Sequence, residues 1–351
     1  MKIGMIAPPW FPLPPRGYGG IELVVSLLTE GLVARGHDVT LFASGDSVTA
    51  ARLSYVFARA PFERIEHGAH LEIAHGLDAY TRAREFDVIH DHDGYASRAM
   101  GALLKRLLGV PVVATLHGPA DQPTLESLSA LRDDLSFIAI SDYQRNGFPD
   151  LHFVGTIANA IDIAKHRFLA EKDDFFLFIG RMIADKGAHT ACEVARRLGV
   201  RLIMAGKVNE TAEKSYFAKQ IEPYLSDKIH YRGEVDHDGK AELYRHARCT
   251  LFPIQWPEPF GLVMIESLAA GTPVIAFRRG SVPEVIEHGR TGFIVDTIDE
   301  MVDAARHIDE IDPQECRKAV EERFGIDRFV VAHEDAYRRM LEEASDRDPR
   351  A

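Results

Sequence analysis

The segment Trp256-Pro257-Glu258-Pro259-Phe260-Gly261-Leu262-Val263-Met264-Ile265-Glu266-Ser267 carries two carboxylates separated by seven residues. Pro259 and Gly261 keep the chain out of a helix near Glu258, and the apolar spacing beyond them predicts a helix starting at about Phe260. Glu258 then falls in the loop at the helix's N-terminus, and Glu266 lies two turns along it. The N–H groups of Phe260, Gly261 and Leu262 have no acceptor inside such a helix and suit an anion. A carboxylate beside an anion site suits the hydroxyls of a sugar, from which it accepts hydrogen bonds. The plainer alternative is a helix with two solvated glutamates; the intervening Pro-Phe-Gly argues against it.

Gly180-Arg181-Met182-Ile183-Ala184-Asp185-Lys186-Gly187 follows an apolar run and precedes a helical stretch. Arg181 offers a planar fork to a diphosphate and Lys186 a point charge; two surface cations on a strand–helix loop are an equal alternative for this pair alone. In Pro14-Pro15-Arg16-Gly17-Tyr18-Gly19-Gly20-Ile21-Glu22 the pattern Gly-x-Gly-x-x-Gly is not met, so this is not a dinucleotide fingerprint. Gly19 and Gly20 still allow a ligand close to backbone amides, although a glycine turn made only for packing would look the same.

These loops need elements to hold them. At 351 residues the chain exceeds the roughly 250–300 that one core supports, which predicts two domains. Apolar runs of strand length occur at 2–7, 38–43, 87–91, 112–117, 137–141 and 153–158, and again at 175–180, 201–205, 229–232, 249–253 and 273–277. Helical spacing lies between them, as in Ile21, Val24, Val25, Leu28 and Leu32 before Gly36, and in 190–198. The expected class is α/β: two doubly wound parallel-sheet domains, 1–165 and 170–325, facing a central cleft at the C-terminal edges of their sheets. The polar stretch 165–174 reads as the linker. The amphipathic segment 327–344 is expected to pack back on the first domain.

Hydrophobic residues make up 46% and charged residues 27%, an ordinary globular balance. The net charge of −12 argues against a broad nucleic-acid footprint. Cys192, Cys249 and Cys316 match no zinc spacing and read as reduced thiols. No apolar run approaches the roughly 18 residues of a membrane span, and the opening apolar residues are too few for a signal peptide. A cytoplasmic protein without a transmembrane segment is expected.

Together the three loops resemble the family 4 glycosyltransferases, retaining enzymes built from two Rossmann-like domains in the GT-B architecture. The likeness is strongest from Trp256 to Val295, where Glu-x7-Glu is followed by Ala-Ala-Gly-Thr-Pro-Val-Ile-Ala, Gly-Ser-Val-Pro-Glu-Val and Gly-Arg-Thr-Gly-Phe-Ile-Val. The opening Pro-Pro-Arg-Gly-Tyr-Gly-Gly-Ile-Glu resembles the small-enzyme branch that includes an avilamycin-pathway glycosyltransferase. Thr115-Leu116-His117-Gly118 and Ala158-Asn159-Ala160-Ile161-Asp162 also fit, with alanines where the family more often has Pro and Gly.

The resemblance implies transfer of a hexose, with retention, from a nucleoside-diphosphate sugar to a hydroxyl of a small-molecule, glycan or lipid-linked acceptor. UDP-glucose is the expected donor, with no metal and no other cofactor. Arg181 and Lys186 would bind the diphosphate, Glu258 the donor-sugar hydroxyls, and Glu266 the ribose. Phe260, Gly261 and Leu262 would offer amides, Gly19 and Gly20 would face the diphosphate, and His117 would orient the reacting sugar or the acceptor. A sugar-nucleotide 2-epimerase and a non-catalytic nucleotide-sugar-binding protein are the alternatives.

Five other features are not read as catalytic or metal-binding. His90-Asp91-His92-Asp93 ends a strand and is expected to line the acceptor side or pack, rather than hold a metal. His67, His70 and His75 are expected on a solvated helix face with Glu63, Glu66 and Glu72. Arg98, Lys105 and Arg106 form a small basic patch on a helix expected to pack on its sheet with its charges in water, with contact to a membrane surface as the alternative. Ser281-Val282-Pro283-Glu284 reads as a capping box, and Trp256 as a packing residue.

Overall fold

The structure is a computed structural model describing residues 1–346; at 65–67, 108 and 344–346 the description is of the backbone alone. The chain divides into two compact units, Met1–Ala160 together with the segment from Ile326, and Ile161–Gly325.

The first unit is a seven-stranded sheet of β1 (Lys2–Ile6), β2 (Asp38–Phe42), β3 (Arg52–Ser54), β4 (Val88–Asp91), β5 (Val112–Thr115), β6 (Ser136–Ala139) and β7 (Phe153–Thr156). Their order is β3-β2-β1-β4-β5-β6-β7, with every pairing parallel. Helices cover both faces of such a sheet, so its central strands are near-continuous apolar runs; β4, β5 and β6 are buried along their whole length. The helix Gly20–Ala34 follows β1 directly and buries Val24, Val25, Leu28 and Leu32. It ends in a turn at Gly36, where His37 N donates to Leu32 O at 3.1 Å.

The helix Ile326–Asp346 belongs to this first unit. It buries Phe329, Val330, Tyr337 and Met340. Glu334 accepts from Arg35 at 2.8 and 3.0 Å and pairs with His37 at 2.7 Å. The hydrogen bond from Arg35 pulls the Glu334 carboxyl down to about 2.

The second unit repeats the scheme with β8 (Phe176–Ile179), β9 (Leu202–Ala205), β10 (Ile229–Tyr231), β11 (Cys249–Phe252), β12 (Val274–Phe277) and β13 (Gly292–Val295), in the order β10-β9-β8-β11-β12-β13, again parallel. Two strands carried no run of predictive length. β3 is a three-residue edge strand with no fully buried side chain, and β13 is the tetrapeptide Gly-Phe-Ile-Val. Strand order reverses between β1 and β4 in one unit and between β8 and β11 in the other, and ligands of doubly wound sheets sit at such switch points. No helix among the described residues is long and apolar enough to cross a membrane.

Candidate functional site

In the second unit, the loops leaving β8 and β11 meet at the switch point. Gln255 N donates to Asp185 O at 2.7 Å. Gly187, at φ 76°, passes so close to Pro253 that a Cβ there would lie 2.0 Å from its carbonyl oxygen. This closure sets Lys186 Nζ 2.6 Å from Glu258 Oε2. Trp256 Nε1 donates to the same oxygen at 2.9 Å, and the Lys186 ammonium lies 4.7 Å from the Trp256 ring centroid. Trp256 is therefore part of the cluster rather than plain packing. Glu258 is 9% exposed.

The turn at Glu258 is braced from behind. Ser281 N donates to Glu258 O and Ser281 Oγ to Phe260 O, each at 2.9 Å. Gly280, at φ 56°, lets the two segments touch, since a Cβ would fall 2.1 Å from Glu258 O. The capping box expected at Ser281 is absent: Ser281 sits at φ −78°, ψ 0°, not in the extended conformation of a capping residue, and its side chain makes no cap hydrogen bond.

The helix beyond runs Leu262–Ala269, with Gly261 (φ 83°, ψ 74°) as N-cap. It begins two residues later than expected, so Glu266 lies about one turn along it rather than two. The amides of Phe260, Gly261 and Leu262 precede or open the helix and have no intrahelical acceptor. The Phe260 ring is buried edge-on to Phe324.

Glu266 is 2% exposed; it accepts from Lys240 Nζ at 2.5 Å and from Tyr244 OH at 3.1 Å. Burial pushes its carboxyl up, but Lys240, His166 and Tyr244 outweigh that and hold it below the ordinary range.

Arg181 is held by other carboxylates. Its Nε donates to Glu213 at 2.9 Å, and its terminal nitrogen to Glu210 at 3.0 Å. Glu213 also accepts from Asn209 N and Glu210 N at the start of the helix Thr211–Tyr216. Lys207, 6% exposed, lies 3.4 Å from Glu210 and brings a third cation to this edge. Sequence reasoning passed over Lys207. Its signal was a cation two residues past β9, where Arg181 stands two residues past β8.

In the first unit Gly19, at φ 143°, is the N-cap of Gly20–Ala34. Glu22 in the first turn is 4% exposed, and burial raises its carboxyl to about 7. The run His90-Asp91-His92-Asp93 at the end of β4 is buried throughout. His90 bonds Tyr337 OH at 2.6 Å and Thr115 Oγ1 at 2.7 Å. Asp91 accepts from Tyr80 OH, Ser97 Oγ and Asp93 N. His92 Nδ1 lies 2.9 Å from Nε2 of the half-buried His117. Burial, then Arg98 and His333, push His117 down to about 3. Burial likewise lowers His90 and His92 well below the usual imidazole range. The Asp93 carboxyl makes no hydrogen bond, and burial, Asp91 and Glu72 push it well up. No group of three or more His, Cys, Asp or Glu among the described residues is placed to hold a metal ion.

One neighbouring expectation fails. His75 is 1% exposed rather than solvated, with Nε2 2.9 Å from Ala7 O at the end of β1. The helix Gly68–Thr81 turns that face onto the sheet, a choice its mixed His/Glu pattern does not reveal. His70 is exposed, while the side chains of His67 and Glu66 lie outside those described. In the basic patch, Arg106 pairs with Asp134.

Two parallel doubly wound units, each with a switch point in its strand order, match the fold of GT-B glycosyltransferases. Two family models match consecutive parts of the chain: Glycosyltransferase Family 4 over residues 18–164 and Glycosyl transferases group 1 over residues 160–323. The chain belongs to the family 4 glycosyltransferases, enzymes that transfer sugars. It is similar to AviGT4, a glycosyltransferase involved in avilamycin A biosynthesis, whose crystal structure matches with 26% identity and a TM-score of 0.72, covering 97% of this chain and 98% of that one. The N-acetyl-alpha-D-glucosaminyl L-malate synthase of Bacillus anthracis is 23% identical over 97% of both chains. Anabaena HepE in complex with UDP-glucose shares the fold at 17% identity and a TM-score of 0.71, covering 99% of this chain and 100% of that one.

Proposed function

We propose that the chain is a retaining hexosyltransferase that uses a nucleoside-diphosphate sugar, with UDP-glucose the first donor to test, and a hydroxyl acceptor. The observation that carries this reading is the Lys186–Glu258–Trp256 cluster beside the opening amides of the helix Leu262–Ala269. Departure of a nucleoside diphosphate builds negative charge on its β-phosphate, and fixed cations and amides aimed there lower the barrier. In this assignment Arg181 and Lys186 face the diphosphate, and Glu258 takes donor-sugar hydroxyls. Glu266 takes the ribose, and Phe260, Gly261 and Leu262 supply amides. In the first unit Gly19 and Gly20 are assigned to the diphosphate and His117 to the reacting sugar, as the family resemblance implies.

In the reaction proposed, the bond from the anomeric carbon to the phosphate oxygen breaks as the acceptor oxygen bonds that carbon on the same face, and the departing phosphate takes the acceptor's proton. The cations and amides do the electrostatic work in this reading, which needs no metal. Uridine is supported by the UDP-glucose held in a protein of the same fold.

The test is a thermal-shift and nucleotide-release screen over UDP-, GDP- and ADP-sugars with an acceptor panel, followed by proton NMR of the first-formed product. Release of UDP with an α-linked product from an α-donor is expected. A β-linked product overturns retention. An isomerised sugar nucleotide identifies an epimerase, and binding without turnover a non-catalytic protein.

A further inference from the structure

We propose that His92 is a positioning residue that fixes the tautomer of His117, so that His117 presents its Nδ1 as a hydrogen-bond donor. The two rings face each other at the ends of adjacent strands, with His92 one residue past β4 and His117 two residues past β5. Their nitrogens, His92 Nδ1 and His117 Nε2, are 2.9 Å apart. Burial keeps both imidazoles neutral at pH 7, so one nitrogen carries the shared hydrogen and the other supplies the lone pair.

The far side of His92 decides between the two arrangements. His92 Nε2 is buried and has no hydrogen-bond partner. If His117 Nε2–H donated to His92 Nδ1, the His92 proton would sit on Nε2 and leave a buried N–H without an acceptor. If His92 Nδ1–H donates to His117 Nε2, only a lone pair on His92 Nε2 goes unmatched. Orphaned buried N–H groups are the rarer defect, so the second arrangement holds. The proton of His117 is then on Nδ1.

His92 cannot turn to escape this role. Its ring lies 3.9 Å, centroid to centroid, from that of His90. His90 is pinned at both nitrogens, by Tyr337 OH at 2.6 Å and Thr115 Oγ1 at 2.7 Å. His92 N is tied to Ile6 O at 2.9 Å. Tyr337, from the C-terminal helix, thus reaches His117 through the adjacent imidazoles of His90 and His92.

The chemical consequence concerns what His117 can bind. An Nδ1–H donates to a hydroxyl or carbonyl oxygen and cannot take a proton from one. His117 therefore recognises an oxygen of the ligand and is no general base. The ligand's identity as a sugar rests on the proposed function; the tautomer does not.

The experiment separates the two. Long-range ¹H–¹⁵N correlation spectra of the full-length, histidine-labelled protein report which ring nitrogens carry protons, with assignments from His117→Gln and His92→Asn. The expected result is a protonated Nδ1 and bare Nε2 for His117, and a protonated Nδ1 for His92. A protonated Nε2 on His117 overturns the proposal whatever the activity. Kinetics supply the second readout. His92→Asn keeps an amide donor near the Nδ1 position, and His92→Leu removes it. With the melting temperature matched, His92→Leu should lose about tenfold in kcat, the worth of one hydrogen bond, and His92→Asn should recover most of it. Equal losses in both would overturn the positioning role. Correct tautomers in a protein that transfers no sugar would overturn the proposed function alone.

Discussion

Lys186 and Glu258 stand 72 positions apart in the chain and meet at 2.6 Å, the cation of one loop neutralised by the carboxylate of the other. Both are largely shielded, with side-chain exposures of 22% and 11%. In the proposed assignment this ammonium faces the departing phosphate. Lys186→Met should therefore lower kcat by about 10²- to 10³-fold, the usual cost of losing a donor at a developing anion. Steady-state kinetics at saturating donor check this; near-normal turnover would reduce Lys186 to a structural role.

Arg181 is engaged by Glu213 and Glu210, so in the proposed assignment a diphosphate competes with them for it. Arg181→Ala should cost the same 10²- to 10³-fold in rate with the fold intact. Glu210 is half exposed at 53%, where an ion pair is worth only ~0.2–1 kcal/mol. Glu210→Gln should then tighten nucleotide binding by no more than about fivefold. Calorimetry with UDP measures it, and weaker binding would place Arg181 away from the diphosphate.

The two carboxylates of Glu-x7-Glu should fail differently. Glu258→Gln weakens a charge-assisted acceptor whose hydrogen bonds are worth ~1.5–3 kcal/mol; it should slow transfer while sparing affinity for free UDP. Glu266→Gln should weaken both UDP and UDP-sugar, and it should also lower the melting temperature by stranding Lys240 beside a neutral group. The pair Glu266→Gln, Lys240→Met separates the two effects: stability returns and affinity does not. Equal loss of UDP affinity in Glu258→Gln and Glu266→Gln would contradict the division of roles.

Transfer activity should survive exhaustive treatment with EDTA. Loss of activity that magnesium or manganese restores would mean that a metal carries the charge assigned here to Arg181, Lys186 and the helix amides.

Glu22 makes stability depend on pH in a stated direction. Its carboxyl is raised from 4.5 to about 7 by burial. The folded state therefore holds a proton that the unfolded chain releases, so this contribution is complete below about pH 4.5 and is lost as pH rises through 7. Glu22→Gln should be more stable than the parent at pH 8 by about 3 kcal/mol, at 1.36 kcal/mol per pKa unit. The difference should vanish near pH 4. Urea melts at the two pH values test this, and a pH-independent difference would contradict the assignment.

Much of the architecture was legible in the linear chain. Apolar runs of strand length alternating with helical spacing specify parallel sheets covered on both faces, because that pattern is set by which side chains must leave water. The loops at Gly180–Gly187 and Trp256–Gly261 were legible for the same local reason: Pro and Gly stop a helix and open its amides. What the chain could not reveal was pairing across distance. Strand order is a long-range choice, and it alone sets β4 beside both β1 and β5, so that His92 meets His117 and His75 turns inward to Ala7. The partners of Arg181, the arrival of Lys207 and the bond from Ser281 to the Phe260 carbonyl were decided in the same way. A side chain's partner depends on which loops the sheet edge gathers, and the energy that selects it belongs to the assembled fold rather than to any local stretch of sequence.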